Sequence, residues 1–106
     1  MITIEEFKKM EIKVAQIKEV TDHPNADKLY IIRVDLGDKT KQVVAGIKNA
    51  YQKEELIGKQ VVIVDNLAPA VLRGVESQGM ILAASDAQGI VIISPERKMQ
   101  LGSVVK

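Results

Sequence analysis

Apolar residues along the chain fall in short runs separated by turn-forming residues, a pattern that predicts a small all-β domain. The first run covers residues 12–20, and its alternation changes phase between Val14 and Ile17, as a bulge or a strong bend requires. We therefore predict a long, curved first strand. Residues 29–36 and 42–45 predict a second and a third strand, which pair antiparallel across a turn at residues 37–39.

The second half of the chain is more apolar and predicts further buried strands. They cover residues 61–64, 80–84 and 90–93, with a turn at residues 86–89 and a final short extended piece at residues 102–105. Between the fourth and fifth strands we predict a long loop, whose polar residues stand out in an apolar stretch. These are Arg73, directly before Gly74, and Glu76, Ser77 and Gln78, which lie between Gly74 and Gly79. The loop is therefore a candidate binding site.

A short helix is predicted at the N-terminus. Thr3 followed by Glu6 has the spacing of a capping box, and Ile2 with Phe7 fits the hydrophobic staple that accompanies it. The helix should begin directly after Thr3 and end near Met10.

The order of these elements is that of an all-β OB-fold, a five-stranded Greek-key barrel, here with a short N-terminal helix and a C-terminal extension. Residues 46–58 contain no convincing strand and predict a helical insert between strands three and four. The apolar residues that fit one side of this insert are Ala50, Tyr51, Leu56 and Ile57. A small sandwich is the main competing fold. The barrel is favoured because polar clusters fall at residues 22–28 and 67–79, the two loops that OB-folds use to hold ligands.

The composition is that of a globular protein with one domain, residues 1–106. Hydrophobic residues make up 46% and charged residues 27% of the chain, and no shift in composition divides it. No apolar run reaches the length of a membrane span, and the N-terminus does not resemble a signal peptide, so a cytoplasmic location without a membrane partner is expected. The start at Met1, just before the helix signal, suggests a separate short gene product.

The residues offer little for catalysis or metal binding. The chain has no cysteine and one histidine, His23, which excludes thiolate sites and histidine-rich metal sites. His23 has no nucleophile placed with it and is interpreted as structural or incidental. There is no phosphate-cradling Gly-rich loop, and the carboxylates are dispersed among lysines. We therefore predict a protein that is not an enzyme and has no cofactor.

The net charge of +1 is low for a protein that holds nucleic acid by bulk electrostatics. The aromatic residues are only Phe7, Tyr30 and Tyr51, too few for a stacking platform that binds single strands. Any contact with RNA must therefore be local and geometric.

Four segments together resemble the tRNA-binding domain found at the end of many methionyl-tRNA synthetases and as free-standing tRNA-binding proteins. They are HPNADKLY at residues 23–30, VVAGI at 43–47, EELIGKQVVIVDNL at 54–67 and LRGVESQGMILAA at 72–84. The resemblance extends from about residue 7 to residue 105. Ala45 departs from the serine that the family usually has, and Leu101 stands where a proline is common.

The resemblance implies a homodimer that recognises tRNA mainly through its folded shape. It also implies a beta subunit or accessory factor of methionyl-tRNA synthetase, with the synthetase's catalytic chain as a further partner. The alternative is a secretion-related, chaperone-like OB-fold dimer that binds unfolded peptide; that branch lacks the HPNADKL string and the Arg-Gly-x-x-Ser-Gln-Gly-Met pattern. A third possibility is a protein-interaction subunit that binds RNA weakly alone.

Arg73 leads the candidates for RNA contact, because a guanidinium in a glycine-flanked loop can make two parallel bonds to a phosphate. Its alternative is an internal pair with Glu76. Ser77 and Gln78 would bond a sugar hydroxyl or a base edge, or else satisfy loop amides. Met80 would pack on an exposed base or face the core.

The remaining candidates lie around this loop. Lys28 follows the first polar loop and would reach a phosphate, whereas Asn25 is expected to shape the turn. Asn66 either closes a turn or offers its amide to RNA. Arg33 and Lys48 would extend the positive face, although both residue types are often ordinary surface charges. The full set of RNA-binding candidates is Lys28, Arg73, Ser77, Gln78, Met80, Asn66, Asn25, Arg33 and Lys48.

The predicted dimer interface combines the N-terminal helix with the segment after Pro95. Both lie outside the predicted barrel yet keep apolar residues, which favours burial against a second copy. The residues concerned are Phe7, Met10, Met99, Leu101, Val104 and Val105.

Overall fold

The longest strand, β1 (Ile12–Asp22), forms the centre of the fold in a computed structural model that describes residues 1–106. Its first half pairs antiparallel with β4 (Gln60–Val64) and its second half with β2 (Tyr30–Asp35). Next to β2 lies β3 (Thr40–Ala45), and next to β4 lies β7 (Met80–Ile81). The sheet order β3-β2-β1-β4-β7 curls into the nearly closed five-stranded barrel that the sequence predicted.

The predicted irregularity in the first strand is confirmed. Val14 and Ala15 are both buried, so the inward-facing phase changes there, and the pairing with β2 shifts register between Ile17 and Glu19. Such a bulge increases twist and bends the strand. The bend allows one strand to serve both β4 and β2.

The N-terminal helix, α1 (Ile4–Phe7), has the predicted capping box, in which Thr3 and Glu6 satisfy each other's backbone amides. It ends at Phe7, earlier than predicted, and turns lead on to β1. The insert forms α2 (Lys53–Leu56), as expected. Within it Leu56 is fully buried, but Ile57 is 54% exposed and does not belong to its apolar side.

Two predictions between β4 and the C-terminus were wrong. The segment predicted as a long loop without strands contains a hairpin, β5 (Ala70–Leu72) with β6 (Val75–Ser77). The predicted fifth strand divides at Leu82 into β7 and β8 (Ala83–Asp86), and β8 pairs with β9 (Gly89–Ile92) in a separate hairpin. The continuous apolar run does not reveal this division, because the place where a strand breaks depends on where the strands that pair with it end.

The core lies inside the barrel, where 13 buried residues from all its long strands pack together. A second, smaller cluster of Ile12, Val62 and Val64 packs with Phe7 and Leu82. The two clusters lie on opposite faces of the sheet, because successive side chains of a strand point to opposite faces.

The C-terminal segment adds an extended piece to the first half of β1, as predicted. Val104 forms a bridge with Lys13, and the Val105 amide donates to the Ile12 carbonyl at 2.8 Å. Gly102 turns the chain with a φ of 87°, and a Cβ at this position would lie 2.6 Å from the Leu36 carbonyl oxygen. A glycine is therefore required there. None of the helices combines the length and apolar character needed to cross a membrane.

Candidate nucleic-acid interface

The two predicted ligand loops meet in the structure. We call residues 23–29, between β1 and β2, the first loop, and residues 65–79, between β4 and β7, the hairpin loop. His23 Nε2 lies 2.9 Å from the carbonyl oxygen of Leu72, and Asn25 Nδ2 donates to the carbonyl oxygen of Arg73 at 3.5 Å. The tip of the hairpin loop is thus attached to the first loop through backbone carbonyls, which leaves its side chains available.

Arg73 occupies this tip in a conformation that its residue type rarely adopts. Its φ is 53° and that of Gly74 is 90°, the pair of positive values that a two-residue type I′ hairpin turn needs. A non-glycine residue in this region costs about 1–3 kcal/mol. The guanidinium is exposed and makes no bond within the protein, and the alternative pair with Glu76 does not form. The fold thus presents a strained, unpaired cation.

Lys28 and Met80 also present their side chains to solvent. Lys28 is exposed at the end of the first loop and makes no ion pair. Met80 begins β7 and is 47% exposed, so it does not face the core. Both residues are available for contact with a ligand.

Ser77 and Gln78, in contrast, are used within the barrel. The Ser77 hydroxyl is buried, accepts from the Val44 amide at 2.9 Å and donates to the Gly79 carbonyl at 3.0 Å. Gln78 Oε1 accepts from the Gln42 amide at 2.9 Å, and the Gln78 amide donates to the Gln42 carbonyl at 2.8 Å. We call these contacts between β3 and residues 76–79 the barrel seam. In this seam, hydrogen bonds between the backbone of β3 and the side chains of Ser77 and Gln78 supplement the backbone pairing.

Asn66 secures the other end of the hairpin loop. Its Oδ1 accepts from the Glu11 amide at 2.8 Å, and its Nδ2 donates to the Lys9 carbonyl at 2.7 Å. Both polar atoms of its side chain are therefore engaged with the segment that follows α1.

Arg33 and Lys48 lie on the periphery of the candidate interface. Arg33 is exposed on β2, with Nη1 at 3.5 Å from Thr40 Oγ1. The Lys48 ammonium lies 3.3 Å from Asp22, which Lys53 also approaches to 3.1 Å. The bonds from Lys53 and Lys48 lower the pKa of Asp22. Two lysines on one carboxylate leave a positive charge beside the first loop.

A second ionic group lies where the hairpin loop leaves β4. The Asp65 carboxylate, whose side chain is 2% exposed, lies 2.6 Å from Lys41 and 3.1 Å from both Lys13 and Lys39. Burial by itself would raise the pKa of Asp65, but bonds from Lys41, Lys39 and Lys13 outweigh it and hold that pKa well below its usual range. The bond to Asp65 in turn raises the pKa of Lys13. Lys41 also donates to the backbone oxygens of Asp65 and Gln78.

Three further residues position the hairpin loop: His23, which the sequence marked only as structural or incidental, and Lys41 and Gln42, which were not among the candidates. The Gln42 side chain donates to the Glu76 carbonyl at 2.8 Å, in addition to its backbone bonds with Gln78. His23 had one signal, its place in the HPNADKLY segment. Nothing local distinguished Lys41 or Gln42, since their partners lie more than 20 residues away.

Comparisons with a family model and with known proteins both relate the chain to proteins named for tRNA. The family model described as "Putative tRNA binding domain" matches residues 12–104. The methionine-tRNA ligase of Thermococcus kodakarensis is 50% identical over 105 residues, which are 99% of this chain but 14% of that enzyme. The chain therefore spans about one seventh of the length of such relatives.

Two solved structures have the same fold over their whole length. A "MetRS related protein" from Pyrococcus horikoshii superposes with a TM-score of 0.92 at 33% identity, covering 100% of this chain and 98% of that one. The CsaA chaperone protein of Picrophilus torridus gives the same TM-score, 0.92, and the same identity, 33%, with full coverage of both chains. Fold similarity alone therefore does not separate these two neighbours.

Proposed function

The chain belongs to the putative tRNA binding domain family, and from this premise we propose that it binds structured tRNA without catalysing a reaction. In this proposal Arg73 and Lys28 contact phosphates and Met80 packs on an exposed base. Arg33 and Lys48 extend the positive surface. Four further candidates, Ser77, Gln78, Asn66 and Asn25, hold the loops in place.

The observation that carries the proposal is the exposed, unpaired guanidinium of Arg73. A type I′ turn favours Asn, Asp or Gly, so an arginine with positive φ gains nothing for folding. Backbone strain of this kind clusters where a protein binds its ligands. A guanidinium can bond a phosphate through two parallel N–H groups, which suits recognition of an RNA backbone.

The test is the affinity of the Arg73→Glu variant for tRNA, measured by fluorescence anisotropy at fixed salt. We expect binding to weaken roughly 10- to 100-fold, because a bond to a charged group is lost and a repulsion is added. Lys59→Glu is the control with the same change of charge, since Lys59 is also exposed and lies outside both ligand loops and the proposed dimer interface. Equal losses in both variants would contradict a site at the hairpin tip.

We further propose that the domain acts as a homodimer and serves a methionyl-tRNA synthetase as a beta subunit or accessory factor in the cytoplasm. Four of the predicted interface residues are exposed: Met10 at 42%, Met99 at 44%, Val104 at 66% and Val105 at 36%. Phe7 and Leu101 are half-buried, and Phe7 packs on the chain's own second cluster. Val91 and Ile93, 61% and 42% exposed, add apolar surface that the sequence analysis did not include.

Binding of unfolded peptide is the second candidate function. It is supported by the likeness to the CsaA chaperone and by the exposed apolar residues of the hairpin loop. These are Leu67 at 43%, Val71 at 70% and Leu72 at 39% exposure. The test is a competition for binding to the chain between tRNA and a reduced, unfolded protein as the peptide ligand. If the peptide binds tightly and tRNA does not displace it, peptide binding replaces the tRNA proposal.

A further inference from the structure

We propose that His23 is a positioning residue, which joins the first loop to the hairpin loop and thereby holds Arg73 in its RNA-binding conformation. This inference rests on the proposed function, because it concerns the same surface. His23 itself is buried, with 5% of its surface exposed, and does not contact RNA. It acts through the backbone of Leu72.

The two ring nitrogens of His23 have different partners, and together these define the state of the ring. Nδ1 accepts from the backbone amide of Asn25 at 3.0 Å, so it carries no proton. The proton of the neutral ring is therefore on Nε2, which donates to the Leu72 carbonyl at 2.9 Å. One nitrogen closes the turn of the first loop, and the other reaches the hairpin loop.

The bond to Leu72 is important because the hairpin tip has few other attachments. Strand β5 pairs only with β6, and the barrel seam begins at residue 76. Apart from the pairing of β5 with β6, hydrogen bonds from residues 70–75 to other parts of the protein run only to His23 and Asn25. The Asn25 bond is the longer one, at 3.5 Å, so His23 provides the principal constraint next to Arg73.

Other roles of this histidine do not fit its surroundings. No group of three or more potential metal-ligating residues exists in the chain, so His23 is not part of such a site. Both ring nitrogens are occupied within the protein, which leaves none for a reacting group. A role confined to stability would change unfolding without acting through Arg73, and the experiment distinguishes these cases.

Two variants separate the bonds of the ring. In His23→Gln the amide nitrogen can take the place of Nε2 and keep the bond to Leu72, while the bond from Asn25 is lost. In His23→Asn the side-chain oxygen can take the place of Nδ1 and keep the turn, while the bond to Leu72 is lost. We expect His23→Asn to weaken tRNA binding about tenfold and His23→Gln to retain it within about twofold.

The same variants are then combined with Arg73→Ala. If His23 acts through Arg73, His23→Asn should cause little further loss in that background. A full tenfold loss of affinity in the Arg73→Ala background would overturn the proposal. Equal affinities of the single variants His23→Asn and His23→Gln, with Arg73 unchanged, would also overturn it.

A measurement without tRNA keeps the inference distinct from the proposed function. Backbone order parameters at Arg73 and Gly74 should fall from about 0.85 to below about 0.6 in His23→Asn only, as the tip becomes mobile. Unchanged order parameters in that variant would overturn the positioning role. If order falls as expected while the wild-type chain does not bind tRNA, the positioning role stands and the proposed function fails.

Discussion

At the level of single residues, Asp65 shows how one buried carboxylate organises the surface beside the hairpin loop. Its three lysines come from β1, from the turn after β2 and from β3, so the carboxylate joins separate elements. We expect Asp65→Asn to lower the free energy of unfolding by about 2–3 kcal/mol at neutral pH, since the partly solvated lysines moderate the cost of breaking a buried pair. Urea denaturation measures this change. Asp86→Asn is the control, because Asp86 lies at the exposed end of β8 and an amide oxygen there can still accept from the Gln88 amide.

The same residue predicts a dependence of stability on pH. Because the pKa of Asp65 is lowered in the folded state from its ordinary 3.8, the unfolded state binds more protons at acidic pH. Its contribution is fully present well above pH 4 and is lost as the pH falls below about 4. The difference in unfolding free energy between wild type and Asp65→Asn should therefore shrink on acidification. A difference independent of pH would contradict the ionic role.

At the level of elements, one buried hydroxyl, that of Ser77, contributes to the barrel seam. Ser77→Ala leaves the buried Val44 amide without its acceptor, which should cost about 1–3 kcal/mol in urea denaturation. Ser85→Ala, an exposed position in β8 without a side-chain bond, should have little effect. If Ser77→Ala is as stable as wild type yet binds tRNA poorly, Ser77 is an RNA contact after all.

The elements also show what the sequence could and could not predict. The capping box at Thr3, the bend in β1 and the hairpin between β2 and β3 were predictable because each depends on neighbouring residues. The β5–β6 hairpin was missed because Arg73-Gly74 is an unusual turn pair and the strands are only three residues long. The order of the strands and the polar clusters predicted the two ligand loops, and the resemblance implied tRNA as their ligand. The resemblance could not separate the exposed Arg73 from the buried Ser77, which depends on tertiary contacts.

At the level of the whole molecule, the small net charge constrains how tRNA can bind. A net charge of +1 and few free cations near the hairpin loop imply few phosphate contacts. The logarithm of the binding constant should then fall with the logarithm of salt concentration with a slope of roughly −2 to −4. Titrations between low and high salt measure this slope. A much steeper dependence would indicate a broader basic surface.

The proposed dimer belongs to the same scale, because it needs a surface made by both ends of the chain. We expect Val104→Asp to shift the protein towards monomer in sedimentation at micromolar concentration, since a charge would be buried against a second copy. Val71→Asp, on the hairpin loop, is the control, because this residue is similarly exposed but lies outside the proposed interface. A wild-type chain that is already monomeric would refute the dimer.

The pairing of the C-terminal segment with β1 has a consequence for how the domain assembles and opens. The bond from Val105 to Ile12 encloses nearly the whole chain, so forming it requires closure of the largest loop the molecule contains. Contacts between residues so far apart in sequence form slowly and stabilise the chain only late in folding. The C-terminal segment should therefore join β1 last and separate from it first, so that local unfolding would begin at this end of the chain while β1 stays paired with β2 and β4.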